Sequence, residues 1–296
     1  MNRITILLFG AACTLGYSAG TNDRYTQSVE SQWAVRVAQL TKADGWLTLI
    51  GLHFLKEGDN TVGRAPENTI VLAAGPARIG TVSLSSAGEA SFTPAPAVDV
   101  QIDGKPALAG KLTEADSGGK RSIVSSGTVS FFVIERGGRK ALRVRDNATE
   151  RRRHFLGIDH FPIDSSWRVE ADWIPFAESR QIPITNIIGN TSNETTPGKA
   201  VFRRAGKTYE LWPLFDGPEK TLFFIFSDAT SGGATYTMRF LDAEPPKDGK
   251  VVLDFNLATN PPCAFTPFAT CPLPPRQNRL PIPVEAGERV YRGAHE

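Results

Sequence analysis

Sulfur and histidine are scarce in this 296-residue chain, which has three cysteines, two methionines and four histidines. That scarcity excludes a disulfide-dense scaffold and an array of zinc modules. Net charge is missing too: 33 Lys and Arg face 31 Asp and Glu, a formal +2, so no global field draws in nucleic acid or an anionic membrane. Beyond the first residues no apolar run approaches the ~20 residues of a membrane helix, and even 221–226 is bounded by charge. Turn chemistry is plentiful, with 27 Gly and 21 Pro beside a hydrophobic content of 41%. This composition excludes disorder and predicts a turn-rich, mainly β chain with a real core.

Residues 1–20 begin with one cation, Arg3, run apolar from Ile4 to Leu15 and end in Ser18, Ala19 and Gly20. This is the pattern of a secretory signal peptide cleaved near Gly20, and it predicts a secreted or periplasmic protein without a permanent membrane span. Cys13, preceded by Gly10, Ala11 and Ala12, opens a lipid-anchor alternative, although Gly10 stands where such signals prefer a leucine-like residue. Removing the leader leaves Cys263 and Cys271, with seven residues between them. In an oxidising compartment this pair suits a small looped disulfide, and zinc is the lesser reading because tight CxxC pairs and nearby histidines are absent.

Val29, Trp33, Val37 and Leu40 recur at helical spacing and predict an amphipathic helix within residues 21–45. Short alternating or β-branched runs then follow, each closed by Gly, Pro, Asn or Asp, and residues 46–146 read as a β-sandwich. Residues 147–296 read as a second antiparallel β domain, with hairpin signals at Ala205-Gly206 and Asp248-Gly249. Eight prolines in 261–283 exclude a central strand or helix there and predict an ordered wrapping segment.

Several runs carry a resemblance: Asp254-Phe255-Asn256, Asn260-Pro261-Pro262-Cys263-Ala264-Phe265, Ala269-Thr270-Cys271-Pro272-Leu273-Pro274-Pro275, Asn278-Arg279-Leu280 and Glu285-Ala286-Gly287-Glu288. Trp46-Leu47-Thr48-Leu49-Ile50-Gly51-Leu52, Arg143-Val144-Arg145-Asp146 and Phe161-Pro162-Ile163-Asp164 extend it. Together they resemble the bacterial and archaeal family catalogued as domain of unknown function 1684. That resemblance implies a fold and no catalytic residues. Glu57-Gly58, Gly63-Arg64 and Asn68 are similar to the opening of forkhead-associated sandwiches, which implies architecture alone because the later histidine of those domains has no counterpart between Arg78 and Phe92.

Three constellations are candidate sites. Arg143, Arg145 and Arg151 stand with Arg152 and Arg153 inside eleven residues, and guanidinium forks suit anion binding. A solvated strand edge is the plainer reading. His154, Asp159, His160 and Asp164 supply imidazole and carboxylate for acid/base work, although their spacing matches no metal signature and turn capping explains them equally. Asp254, Asn256, Asn260 and Asn278 flank the proline-rich segment, where Asx turns are the plainer reading and a polar ligand floor under Trp212, Phe265 and Phe268 the functional one. No nucleophile elbow, zincin helix, phosphate loop or CxxC is present, so no cofactor or metal is assigned. The expectation is a small-molecule or glycan-binding β protein. The alternatives are a metal-independent hydrolase of extracytoplasmic esters or glycans and a cell-envelope interaction protein.

Overall fold

The computed structural model describes residues 17–114, 121–216 and 221–293; Cys13 and most of the expected leader lie outside the described residues. The helical spacing is realised in α1 (Tyr17–Leu40), which starts before the first apolar position and buries Val29 and Leu40. Gly45 turns the chain after it: a Cβ there would meet the Leu40 carbonyl at 2.5 Å, so only glycine passes this close.

The first β unit contains β1 (Leu49–Phe54), β2 (Gly58–Gly63), β3 (Ile70–Val71), β4 (Gly80–Leu84), β5 (Ala90–Pro94), β6 (Gln101–Ile102), β7 (Lys105–Pro106), β8 (Gly110–Leu112), β9 (Val124–Ser126), β10 (Val129–Arg136) and β11 (Arg139–Asp146). They form a six-stranded sheet, β1-β11-β10-β9-β6-β7, and a five-stranded sheet, β3-β2-β4-β5-β8. Val62, Val82 and Phe92 from one sheet meet Val124, Phe131, Leu142 and Val144 from the other in a single core, so the predicted sandwich is present.

After the one-turn helix α2 (Glu150–Arg153) come β12 (Arg168–Thr185), β13 (Thr191–Arg204), β14 (Lys207–Leu211), β15 (Leu214–Asp216), β16 (Thr221–Phe226), β17 (Arg239–Ala243) and β18 (Lys250–Asp254). They make a four-stranded sheet, β14-β13-β12-β18, and a three-stranded sheet, β15-β16-β17. Ala171, Phe202 and Leu211 of the first pack on Leu222, Phe224 and Leu241 of the second, and Phe255, Leu280, Val284 and Ala286 of the tail complete that core. The β12–β13 hairpin is long, with strands of 18 and 14 residues, and its register shifts between Pro175 and Arg180. Pro175, Pro183 and Pro197 conceal its outer half from a propensity reading, because proline normally demotes a strand.

The proline-rich segment is ordered, as its composition predicts, and ties the two units together. Phe265 packs with Leu40, Leu47 and Tyr291, while Cys263, Ala269 and Cys271 pack with Met238 and Trp46. Further on, Gly287 (φ 76°) is threaded so closely that a Cβ would stand 2.6 Å from the Phe255 and Ala258 carbonyls. That approach accounts for the glycine in the tail motif.

Candidate functional site

The strand alternation of β11 divides its side chains by chemistry. Leu142 and Val144 point into the sandwich core, which places Arg143 and Arg145 on the outer face of the six-stranded sheet. Arg143 lies across from Phe132 on β10 and Leu52 on β1, and Arg145 across from Ser130 and Leu49. The outer face is apolar around them, with Phe132, Ile134, Ala141, Leu52 and Phe54 in one cluster.

Each guanidinium stacks on a ring: Arg143 on Trp46 at 5.4 Å, and Arg145 and Arg121 on Phe132 at 4.9 and 4.4 Å. Arg151 arrives from α2, whose start is capped by the Thr149 hydroxyl; it donates to the Leu49 carbonyl and lies 5.9 Å from the Phe268 ring. Arg136, at the end of β10, donates to the Thr270 hydroxyl at 3.0 Å.

This basic face sits in the seam between the two β units and is poorly compensated. Arg143 is only 7% exposed, its Nε has no partner, and no carboxylate among the described residues lies within ion-pair distance of Arg121, Arg143 or Arg145. Burial first, and then repulsion from Arg136, Arg145 and Arg121, pushes the Arg143 guanidinium down to about 10. Burial likewise lowers Arg145, with Asp44 opposing the shift, and Arg151. An arginine keeps its charge through shifts of this size, so among the described residues Arg143 carries buried positive charge with no carboxylate in ion-pair contact. Beside it opens a cleft of about 270 Å³ lined by Arg36, Gln39, Lys42, Asp44, Trp46 and Arg145. Arg36 is committed to Glu288 at 3.2 Å, which leaves Lys42 and Arg145 facing a single carboxylate, Asp44.

The amide constellation is distributed differently. Asn256 and Asn260 lie beneath α1: Tyr25 Oη donates to the Asp254 carboxylate at 2.9 and 3.0 Å, Trp33 Nε1 to the Asn256 carbonyl at 2.9 Å, and Arg36 to the Asn260 carbonyl at 2.8 Å. Asn256 also clamps both backbone groups of Asp164, and Asn260 Nδ2 donates to the Arg289 carbonyl. Asn278 stands apart, accepting from the Trp212 N–H at 2.7 Å and donating to the Trp212 and Ile225 carbonyls. All three asparagines are fully buried. Their amides hold loops, in the manner of the Asx reading, and no open polar floor forms. The expected aromatic cover also disperses: Trp212 pairs with Phe176, Phe265 is sealed against Tyr291, and Phe268 lies at Arg151.

The acid/base candidates do not converge. His154 is exposed and pairs with Glu150, while His160 stacks on Trp33 at 3.8 Å, where burial lowers it to about 4. Asp159 pairs with Arg292, and Asp164 caps the 3-10 turn Ser165–Trp167 through the Ser166 N–H. His154, the adjacent Asp159 and His160, and Asp164 therefore make different contacts, and the hydroxyl bonded to one of them, Ser166 Oγ on Asp164 at 2.8 Å, belongs to the cap of its own turn. Among the described residues no group of three His, Cys, Asp or Glu side chains is placed to hold a metal.

Cys263 and Cys271, the pair whose spacing suits a disulfide, are brought together as two buried thiols, with the Cys263 N–H donating to Cys271 Sγ at 3.1 Å. At the Gly63-Arg64 turn, Arg64 donates to the Gly75 carbonyl. Sequence reasoning missed Arg36, Trp46, Arg121 and Arg136, whose roles depend on contacts between distant segments. Trp46 carried a signal only through the family-like run that it opens.

Two largely antiparallel β units, joined by a proline-rich strap over a basic seam, define the class: a two-unit β protein with a cleft between α1, the turn after it and β11. Residues 153–289 match the model of the family described as "Protein of unknown function (DUF1684)", which bears out the resemblance carried by the tail motif. Among solved structures, the chain is similar to the solution NMR structure of an uncharacterized protein of Haloarcula marismortui. The identity is 29% over 49% of this chain and 83% of that chain, with a TM-score of 0.42. No curated protein matches the chain. Among the described residues no helix is long and apolar enough to cross a membrane.

Proposed function

We propose that this is a secreted or periplasmic binding protein that takes a small anionic molecule at the arginine seam. The supporting observation is Arg143, nine-tenths buried among other guanidiniums, with no carboxylate among the described residues in ion-pair contact with it. Buried charge without compensation is costly, and an anion with acceptor oxygens supplies both the missing charge and the missing hydrogen bonds. The cleft beside Arg143, lined by Arg145 and Lys42 and about 270 Å³ in volume, suits a ligand of small-metabolite size or smaller.

The leader pattern supports the location. Cleavage near Gly20 would leave the anchors Tyr25, Trp33 and Arg36 in place on α1, so the mature chain keeps the wall of the cleft that Arg36 provides. The glycan alternative has less support, because the asparagines that would read hydroxyls are fully buried and their amide N–H groups already donate to the chain's own carbonyls.

Thermal shift and calorimetry of the full chain with inorganic phosphate, sulfate, acetate and glucose test this reading. Saturating phosphate or sulfate should raise the melting temperature, since a ligand at a hundredfold excess over its Kd adds about 2.7 kcal/mol. Glucose should do nothing, and Arg145→Met should abolish the shift. Indifference to every anion would overturn the reading and move attention to the hairpin tip, where Ile187, Ile188 and Leu273 expose apolar surface suited to an envelope partner.

A further inference from the structure

The strap carries a second chemistry. Cys263 sits in the 3-10 turn Pro262–Ala264 and Cys271 just before Pro272; both thiols are buried, at 7% and 4% exposure. The 3.1 Å contact between the Cys263 N–H and Cys271 Sγ brings the two residues face to face inside a pocket formed with Met238, Ala269, Trp46 and Tyr236. The loop between them is pinned on both sides of the seam. Phe268 lies under Arg151, Thr270 accepts from Arg136 on the sandwich, and the Cys271 carbonyl accepts from Ile187 on the β12–β13 hairpin at 3.0 Å.

We infer that Cys263 and Cys271 are a redox-convertible modification site whose oxidised form staples the strap wall facing the arginine seam. Oxidation breaks two S–H bonds and forms one S–S bond. Two protons leave, and two electrons pass to a small disulfide, which is thereby cleaved to two thiols. Closing the loop between the two cysteines restricts Thr266, Phe268 and Thr270, and Thr270 is the hydroxyl that orients Arg136. The exchange passes through a mixed disulfide on one cysteine, and the other, held by the 3.1 Å contact between the Cys263 N–H and Cys271 Sγ, is placed to displace it, so ring closure is favoured over a lasting adduct. The ring itself is independent of the proposed anion site; its effect on ligand affinity rests on that reading.

The full chain equilibrated with oxidised glutathione or with dithiothreitol provides the test. Both cysteines fall in one tryptic peptide, residues 251–276, because Lys250 and Arg276 are its flanking cleavage points. After oxidation that peptide should be about 2 Da lighter than the reduced peptide and refuse N-ethylmaleimide, whereas the reduced protein takes two adducts on it. The oxidised protein should melt about 5 °C higher, the shift expected of so short a ring, and bind phosphate at least about threefold more tightly. Two adducts after oxidation, or a glutathione adduct without ring closure, would overturn the inference. Ring closure with equal phosphate affinity in both forms would overturn the coupling alone. Ring closure with no phosphate binding in either form would sink the anion reading and leave the ring standing.

Discussion

Two buried arginines in this molecule have opposite surroundings. Arg239, on β17, is fully buried and donates to the Asp228 carboxylate at 2.7 Å, to the Val284 carbonyl at 2.8 Å and to the Ala286 carbonyl. Asp228 is itself held by the Thr230 and Val284 N–H groups. Arg143, on β11, is almost as buried yet has rings and other guanidiniums for neighbours. Asp228 and the tail's two carbonyls take the terminal nitrogens of Arg239, whose Nε is as unpartnered as that of Arg143, whereas among the described residues no carboxylate reaches Arg143. Buried polarity that is satisfied internally builds the fold; buried polarity left open is available for a ligand.

The comparison can be broken most forcefully at Arg239. Arg239→Met would leave the buried Asp228 carboxyl without its partner, at a cost of about 3–5 kcal/mol, read as a lower urea midpoint. A loss under about 1 kcal/mol would show that the ion pair is dispensable and the contrast empty. Asn278→Ala comes next. It strands the Trp212 N–H and the Trp212 and Ile225 carbonyls, and with incomplete rescue by water about 3 kcal/mol should be lost in the same assay. A near-neutral Asn278→Ala would mean that these carbonyls find other donors, and the internal-satisfaction account of the amide group would fail.

The periodic and punctuated features were legible in the sequence because local rules govern them. Val29, Trp33, Val37 and Leu40 mark α1 through spacing alone, and Leu142/Val144 against Arg143/Arg145 divide β11 correctly into core and outer faces. The strap's order follows from prolines that forbid helix and central strand. What stayed hidden is long-range. Nothing near Asn256 announces that Tyr25 and Trp33 will cover it from more than two hundred residues away, and Arg36 gives no local sign of reaching Glu288. The asparagines read as a possible ligand floor because an amide that holds a loop and one that holds a ligand are the same letter. The difference lies in which backbone groups the fold later brings within 3 Å of Asn278. The outer half of the β12–β13 hairpin was missed because its prolines argue against strand, a local signal outvoted by cross-strand pairing and by the packing of Ile182 and Ile184 on Leu214 and Ile225.

A milder test lies under α1. His160, stacked on Trp33, has its pKa depressed by burial to about 4, while in the unfolded chain it protonates near its ordinary 6.5. Between those values the unfolded chain binds more protons than the folded one. The stability contributed by the neutral ring is therefore complete above pH 6.5 and is lost as the pH falls through 4. His160→Phe keeps a ring on Trp33 and removes the titration. Its melting temperature should gain on that of the parent protein as the pH is lowered from 7 to about 5. Parallel curves would show that His160 protonates freely in the fold.

The smallest stability effect carries the sharpest meaning. Arg143→Met replaces an uncompensated cation with an apolar chain of similar length beside Phe132 and Trp46, and relieves repulsion on Arg136 and Arg145. Replacing a poorly paired buried charge by a packed apolar group is often neutral or stabilising, so the urea midpoint should move by less than about 1 kcal/mol, or upward. Phosphate affinity should fall at least about tenfold, because the guanidinium and its hydrogen bonds are worth about 1.5–3 kcal/mol to an anion. A variant as damaged as Arg239→Met would mean that Arg143 holds the seam together through its ring contacts, and the two arginines would then be alike. A variant that keeps both its stability and its phosphate affinity would leave Arg143 without a part in either, and would locate the ligand's charge partner at Arg145 and Lys42, which line the cleft with Trp46.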